Sequence, residues 1–472
     1  MGDTGAPTST ERSALLDAPD TSHLAVLDTL LSTHAIHASQ PRKSLWLTTH
    51  LLALPPLYAY WHITALLPSW RPLPTWSIKR TVGIKLIRYV SRTFFVGNSL
   101  PRPDVSQELT KSQLRELERY AARVVWIPPV DLEGVGEPVR GWAEGAGVRP
   151  ERVRGFWMGE NVELPADQER EKGKVMLFLH GGSYIVRPPL LPPQLHLTSK
   201  QTGSGHPAQL TSFLPLQSLK HSLTLRAALG IDYRLSATAP NPAVNPFPAA
   251  LLDALAGFRY LLSLGFAPGQ IIIAGDSAGG NLALALVKYL VEVDQLGALL
   301  AGLVLLSPWS DMTDSHHSPA CSLVRNYRTD YILGLEAGMG TYSVHAFCRH
   351  VSPWSAWVSP AAKRPSPAGA ASTIGTEGEA AAAAKYPEGT FLHWPRTLLL
   401  PGEREMIIDE IRTLRTRMER DGVPLTYREW DGCPHDFLSF WFMEPERTEA
   451  VRFVCRWVDE VEELEVPVVP GR

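Results

Sequence analysis

The sequence QIIIAGDSAGGNLALALVKYLVEV, residues 270–293, decides the fold. Its first part is an apolar run typical of a buried strand, and its last part is typical of a helix. Between them, Gly275-Asp276-Ser277-Ala278-Gly279 matches the pattern G-x-S-x-G. A strand-to-helix turn of this kind strains the serine backbone and raises the hydroxyl above the sheet, at the positive end of the helix dipole. The stretch therefore predicts that Ser277 is a nucleophile rather than an inert serine at the start of a helix.

Apolar strands and helices alternate on both sides of this turn. Further strands are predicted at residues 152–159, 174–182, 227–235, 302–308, 396–402 and 425–430, and further helices at 250–264, 409–422 and 449–465. Buried strands that alternate with helices form a parallel sheet covered on both faces. We therefore expect an α/β fold, with a mostly parallel, doubly wound sheet and a helical cap to which residues 310–350 contribute.

A second glycine-containing turn follows the strand at 174–182. Here His180 is followed by Gly181 and Gly182. Attack on a carbonyl carbon needs hydrogen-bond donors aimed at the oxyanion that forms, and backbone N–H groups without bulky side chains serve this purpose. The N–H groups of Gly181, Gly182 and Ala278 are therefore the predicted oxyanion donors.

A serine nucleophile needs a base and an acid that orients it. In this type of fold they follow the serine in the order acid, then histidine. His435 lies in a loop after the last strand, whereas His393 precedes the strand that should carry the acid, and His180 is expected to brace its own loop. His435 is therefore the predicted base.

Several carboxylates compete for the role of the acid. Glu405 stands three residues beyond Gly402, where the predicted strand ends, and is the preferred candidate. The alternatives are Glu403, Asp409 and Glu410, of which the last two open a helix, where negative charge is favourable in any case.

Five motifs in this order resemble the hormone-sensitive-lipase branch of the α/β hydrolases, also described as α/β-hydrolase fold-3 esterases. They are HGGSY (180–184), DYRLS (232–236), NPFPAALLDA (245–254), GDSAGGNLAL (275–284) and GCPHDF (432–437). The resemblance covers about 270 positions, residues 174–440. It implies a serine carboxylesterase or lipase-like enzyme that works through an acyl-enzyme and needs no cofactor and no metal.

The same resemblance assigns roles by position. It makes Ser277 the nucleophile, Glu405 the acid and His435 the base, with Gly181, Gly182 and Ala278 as the oxyanion hole. The sequence departs from the family pattern at Ser183, which replaces a third glycine, and at Glu405, where Asp is more frequent. An insertion at 187–222 also lengthens the stretch of sequence between His180 and Ser277. An amidase, a deacetylase or an acyltransferase with the same residues remains an alternative, as does a non-catalytic ligand-binding relative.

The N-terminal part has a different character. Residues 45–67 carry no charge, and a basic amphipathic stretch follows to residue 92. This pattern favours attachment to a membrane surface or a single membrane span, the alternative being packing within the cap. Three regions complete the predicted layout: a disordered segment at 1–40, an N-terminal extension at 41–149 and a catalytic domain at 150–472. A flexible insertion is expected at about 361–390.

Composition narrows the function classes. The net charge is −3, which argues against nucleic-acid binding. The four cysteines form no CxxC pair, and no secretory signal opens the chain, so an intracellular location is expected, at an internal membrane or otherwise in the cytoplasm. The expected partner is a small-molecule or lipid-like ester substrate.

Overall fold

An eight-stranded sheet organises the computed structural model, which describes residues 39–97, 108–159, 173–185, 204–332, 338–363 and 388–460. The strands are β1 (Ala122–Ile127), β2 (Val153–Met158), β3 (Lys174–Leu179), β4 (Leu225–Asp232), β5 (Ile271–Asp276), β6 (Gly302–Leu306), β7 (Thr397–Leu400) and β8 (Leu425–Tyr427). Their spatial order is β1-β2-β4-β3-β5-β6-β7-β8. Strands β3 to β8 are parallel, and β2 pairs antiparallel with both β1 and β4. The predicted α/β fold with a mostly parallel sheet is confirmed.

Helices cover both faces of the sheet. The described helices are α1 (Arg42–Ala65), α2 (Ile78–Val96), α3 (Lys111–Glu118), α4 (Val139–Gly145), α5 (Phe213–His221), α6 (Ala249–Ser263), α7 (Ser277–Glu292), α8 (Ser322–Arg325), α9 (Met339–Phe347), α10 (Ile408–Arg420) and α11 (Glu446–Val458). Successive residues of β3 point to opposite faces, so Leu177 joins one hydrophobic cluster and Phe178 the other. The first cluster contains α6, α7 and α10, and the second contains α2, α5 and α11. The sheet is therefore doubly wound, and β5 lies near its centre with every residue buried.

The two N-terminal helices pack together on the catalytic part. Helix α1 runs through Pro55 and Pro56 without interruption. Its inner side is held to α2, since the Trp46 indole N–H donates to the Thr93 carbonyl oxygen at 2.9 Å. Helix α2 in turn contributes Ile84 to the second hydrophobic cluster. The described helices, α1 among them, include none with both the length and the apolarity of a membrane-spanning segment.

Two contacts join this N-terminal unit to the end of the chain. The buried Trp76 indole N–H donates to the Gly432 carbonyl oxygen at 2.8 Å. The Arg80 guanidinium pairs with the Glu446 carboxylate at 2.5 Å. Because Gly432 belongs to the loop that carries His435, the segment between α1 and α2 supports that loop directly.

Some expectations fall on parts of the chain that the structure does not describe. The predicted disordered segment lies almost wholly within residues 1–38, and the predicted flexible insertion overlaps 364–387. Strand β1 was not predicted, although it pairs with β2 along its whole length. It lies within the stretch that the sequence assigned to the N-terminal extension.

Candidate active site

The turn after β5 holds Ser277 in a left-handed backbone conformation, with φ of +51°. A Cβ on Gly275 would lie 2.3 Å from the Gly279 carbonyl oxygen, and a Cβ on Gly279 would lie 2.0 Å from that of Leu179. Both positions therefore require glycine, as the sequence pattern predicts. The turn places the serine at the first residue of α7, at the end of a central strand.

A continuous hydrogen-bond chain leads from this serine. The Ser277 hydroxyl lies 2.9 Å from Nε2 of His435, and Nδ1 of His435 lies 2.7 Å from Oε2 of Glu405. The second carboxylate oxygen, Oε1, accepts the Gly402 backbone N–H at 2.8 Å. The structure thus brings together the predicted nucleophile, base and acid, and Gly402 holds the acid in place.

The competing candidates lie in other environments. Asp409 accepts the Ser322 N–H at 2.8 Å and pairs with Arg325. Glu403 accepts the Gly432 N–H at 2.9 Å, and Glu410 accepts the Ser310 N–H at 2.7 Å. These three carboxylates stabilise loops and helix ends. None of them makes a hydrogen bond with His435 among the described residues.

The two other histidines weighed as bases are also placed elsewhere. The His180 ring stacks on Tyr233, with ring centres 4.2 Å apart, and the Tyr233 hydroxyl donates to the His180 carbonyl oxygen at 2.6 Å. His180 therefore braces the turn after β3. His393 is exposed and precedes β7.

Burial sets the protonation of the base. It lowers the pKa of His435 to about 4, so that the imidazole is neutral at neutral pH and its Nε2 can accept a hydrogen bond from the Ser277 hydroxyl. Burial raises the pKa of Glu405, and the Gly402 N–H and the Ser307 hydroxyl oppose this shift. With Nδ1–H donated to Glu405, the imidazole is held in the tautomer that general-base catalysis requires.

The predicted oxyanion donors lie where β3 and α7 meet. Ala278 follows Ser277 in α7 and is fully buried. Gly181 faces the Asp276 carboxylate so closely that a Cβ would lie 2.3 Å from its Oδ2. Gly182 has φ of +124°. The turn that contains both glycines therefore needs their lack of side chains, and it borders the start of the nucleophile helix.

Three buried carboxyl groups near the base were not identified from the sequence. Asp330 accepts the backbone N–H groups of Met406 at 2.6 Å and Tyr331 at 2.7 Å, and the His435 N–H lies 3.3 Å from its Oδ1. Asp436 places Oδ2 3.3 Å from Nε2 of His435. Asp276 precedes the nucleophile and is buried. Asp276 and Asp436 could have been noticed in the sequence, because they adjoin Ser277 and His435. The proximity of Asp330 to His435 could not, because the two residues are 105 positions apart.

Comparisons with known proteins agree with this architecture. Residues 222–439 match the family model described as alpha/beta hydrolase fold. The acetyl-hydrolase of Streptomyces hygroscopicus is 27% identical over 325 residues, which cover 69% of this chain and 81% of that protein. Esterase LipU of Mycobacterium tuberculosis is 29% identical over 297 residues, which cover 63% of this chain and 80% of the relative.

Solved structures of related architecture include an esterase from the bacterial hormone-sensitive lipase family. It shares 22% identity and gives a TM-score of 0.49, covering 81% of this chain and 98% of its own. The family match, the doubly wound sheet and the nucleophile turn agree with the five motifs of the sequence. Residues 222–439 therefore match an α/β-hydrolase fold domain, and the esterase relatives are consistent with the hormone-sensitive-lipase-like branch that the five motifs resemble.

Proposed function

We propose that the protein hydrolyses carboxylic esters through an acyl-enzyme formed on Ser277. The hydrogen-bond chain from Ser277 through His435 to Glu405 is the observation that carries this proposal. The acetyl-hydrolase and esterase names of the relatives that share the fold support the same reaction type.

The reaction follows from the positions of the three side chains. His435 accepts the hydroxyl proton at Nε2 while Oγ of Ser277 forms a bond to the carbonyl carbon. The resulting oxyanion is stabilised by the N–H groups of Gly181, Gly182 and Ala278, each worth roughly 10²–10³ in rate. The imidazolium then gives its proton to the departing alcohol oxygen, and water, activated by the same base, releases the carboxylic acid.

The test combines Ser277→Ala with a covalent probe. A fluorophosphonate should label the wild-type chain at Ser277, and p-nitrophenyl esters of increasing acyl length should be hydrolysed. The variant should lose labelling and about 10⁴–10⁶ of the rate, since removing a triad nucleophile has this effect. A variant with activity within about tenfold of the wild type, that is within about 1.4 kcal/mol, contradicts the proposal. An amide of the same acyl group separates an esterase from an amidase.

The substrate is proposed to reach the enzyme from a membrane, on the evidence of the outer face of α1. Of the 17 large exposed hydrophobic side chains in the described residues, nine lie between Leu45 and Trp70. Leu52 is 72% exposed and Ile63 is 66% exposed. The outward side of a helix on a globular protein is normally polar, so a continuous apolar face marks an interaction surface.

A lipid bilayer fits this face better than a protein partner. Residues 44–70 carry no Asp, Glu, Lys or Arg, and the first charge on each side is basic, at Lys43 and Arg71. Apolar and aromatic groups bordered by cations suit the boundary of an anionic leaflet. The contacts between the inner side of α1 and α2 would keep the helix parallel to the surface, with the catalytic part attached to the membrane rather than inserted into it.

Vesicle binding tests the membrane proposal separately from catalysis. Full-length protein should sediment with vesicles that contain phosphatidylserine, and the double variant Leu52→Asn/Ile63→Asn should not. Leu223→Asn, at a position that is 76% exposed outside this face, is the matched control and should bind like the wild type. Point substitutions are preferable to deleting residues before 95, since Trp76 and Ile84 belong to the hydrophobic core. Wild-type protein that stays in the supernatant, or a double variant that still sediments, contradicts the proposal.

A further inference from the structure

Nε2 of His435 faces two oxygen atoms, of which the proposed mechanism uses one. Ser277 Oγ lies at 2.9 Å, and Oδ2 of Asp436 lies at 3.3 Å. Asp436 is the residue after the base, is 8% exposed, and has φ of +46°, a conformation that glycine adopts more easily. The fold therefore holds a carboxyl group beside the nitrogen that carries the proton during catalysis.

A second carboxyl group lies against the first. The side chains of Asp436 and Asp276 are within hydrogen-bonding contact of each other. Among the described residues, both oxygens of Asp276 and Oδ1 of Asp436 lack a donor in good hydrogen-bond geometry. Two carboxylates cannot bond to each other unless one of them is protonated. A proton shared between them satisfies one oxygen of each carboxyl group. Burial raises the pKa of both groups, that of Asp276 to about 7, so the pair carries one negative charge above that pH.

The other ionisable groups around the base have partners of their own. Glu405 lies on the Nδ1 side and accepts the Gly402 N–H. Burial raises the pKa of Asp330 to about 6, although Asp330 accepts two short backbone N–H bonds that favour its ionised form. The Tyr331 ring lies 6.0 Å from the imidazole, and burial raises the pKa of its hydroxyl, so it stays neutral. Above a pH of about 7, the pair formed by Asp436 and Asp276 is thus the negative charge beside Nε2.

We propose that Asp436, with its proton shared with Asp276, is a second carboxyl partner of His435 and stabilises the imidazolium that forms when Ser277 attacks. This inference rests on the proposed triad. In the step, the proton moves from Oγ of Ser277 to Nε2 and then to the alcohol oxygen, while the proton between the two aspartates stays in place. Glu405 stabilises the positive charge at Nδ1, and Asp436 stabilises it at Nε2.

The test compares Asp436→Asn with Asp436→Gly. The asparagine keeps the shape of the side chain and the glycine relieves the left-handed backbone, but both remove the carboxyl group. Each should retain the melting temperature of the wild type and lose about tenfold in kcat, with KM unchanged. The loss should be largest above pH about 7, where the pair is ionised, and should shrink towards the acidic limb near pH 4, where both aspartates are protonated. The double variant Asp276→Asn/Asp436→Asn should be no slower than Asp436→Asn, since the two aspartates act as one unit.

Three results keep this inference separate from the proposed function. Asp409→Asn, which changes a carboxylate outside the site, should keep the wild-type kcat. An Asp436→Gly enzyme with wild-type kcat and an unchanged pH profile would show that Asp436 only shapes the loop, and the inference would be overturned while the triad stands. Full activity in Ser277→Ala would overturn both.

Discussion

Replacing Glu405 with Gln would reverse the hydrogen bonding of the base. In the wild type, Oε1 accepts the Gly402 N–H at 2.8 Å and Oε2 accepts the His435 Nδ1–H at 2.7 Å. A glutamine amide in the same place has one acceptor and one donor end. If its oxygen accepts the Gly402 N–H, its NH₂ faces Nδ1, so the proton moves to Nε2 and the imidazole no longer accepts the Ser277 proton.

The alternative orientation of the amide is also unfavourable. Its NH₂ would then face the Gly402 N–H, and two buried donors would be left without an acceptor, at about 1–3 kcal/mol each. The first orientation is therefore preferred and holds the wrong tautomer. Loss of the orienting carboxylate in a triad of this type reduces kcat by about 10⁴. That factor corresponds to roughly 5.5 kcal/mol of transition-state stabilisation.

The assay is hydrolysis of a p-nitrophenyl ester, with the melting temperature measured in parallel. Glu405→Gln should fold and lose between about 10³ and 10⁴ in kcat. Asp409→Asn is the matched change of a neighbouring acid that bonds to Ser322 and Arg325, and it should stay within about threefold of the wild type. A Glu405→Gln enzyme that remains within about tenfold of wild type, or a larger loss in Asp409→Asn, would refute the assignment.

Acid pH, a backbone contact and a thiol reagent each test another part of the site. The value of kcat/KM should fall as the pH drops through about 4, where His435 becomes protonated and stops accepting a proton; a limb near pH 6.5 would mean that burial does not lower its pKa. Gly279→Ala should prevent folding, since its Cβ would lie 2.0 Å from a backbone oxygen. Gly340→Ala, with open space around the Cβ, should melt at or above the wild-type temperature. Equal melting temperatures of the two variants would contradict this account. Iodoacetamide should leave activity intact, because Cys433 is fully buried and burial raises its pKa; inactivation that substrate prevents would instead make this thiol a candidate nucleophile.

Local patterns were enough to predict most of the sheet. Strands β3 and β5 are apolar runs that end in glycine-containing turns, and the chain order of nucleophile, acid and base placed Ser277, Glu405 and His435 at neighbouring strand ends. The strand predictions succeed because the sheet must bury its strands on both faces. The roles of the three residues stay predictions. The fold class is confirmed, and the hydrogen-bond chain among the three residues is what their positions implied.

The sequence could not show contacts that depend on distant parts of the chain. Strand β1 was missed because its residues ARVVWI mix charged and apolar types, and its pairing with β2 was needed to define it. The approach of Asp330 to the base depends on the loop after α8. The outer face of α1 was recognised as apolar, but only the contacts of Trp46 with α2 distinguish its outward side from its inward side.

The contact between Trp76 and Gly432 also has a consequence for synthesis of the chain. The two residues are 356 positions apart, and the Arg80–Glu446 pair spans 366. A ribosome adds about 5–20 residues per second, so about 20–70 s pass between synthesis of the buried side of α2 and synthesis of the loop that covers it. During that interval the buried side of α2 lacks these native partners. Helices α1 and α2 are thus made early and completed late, and the loop that carries His435 closes only when residues 356 positions apart meet.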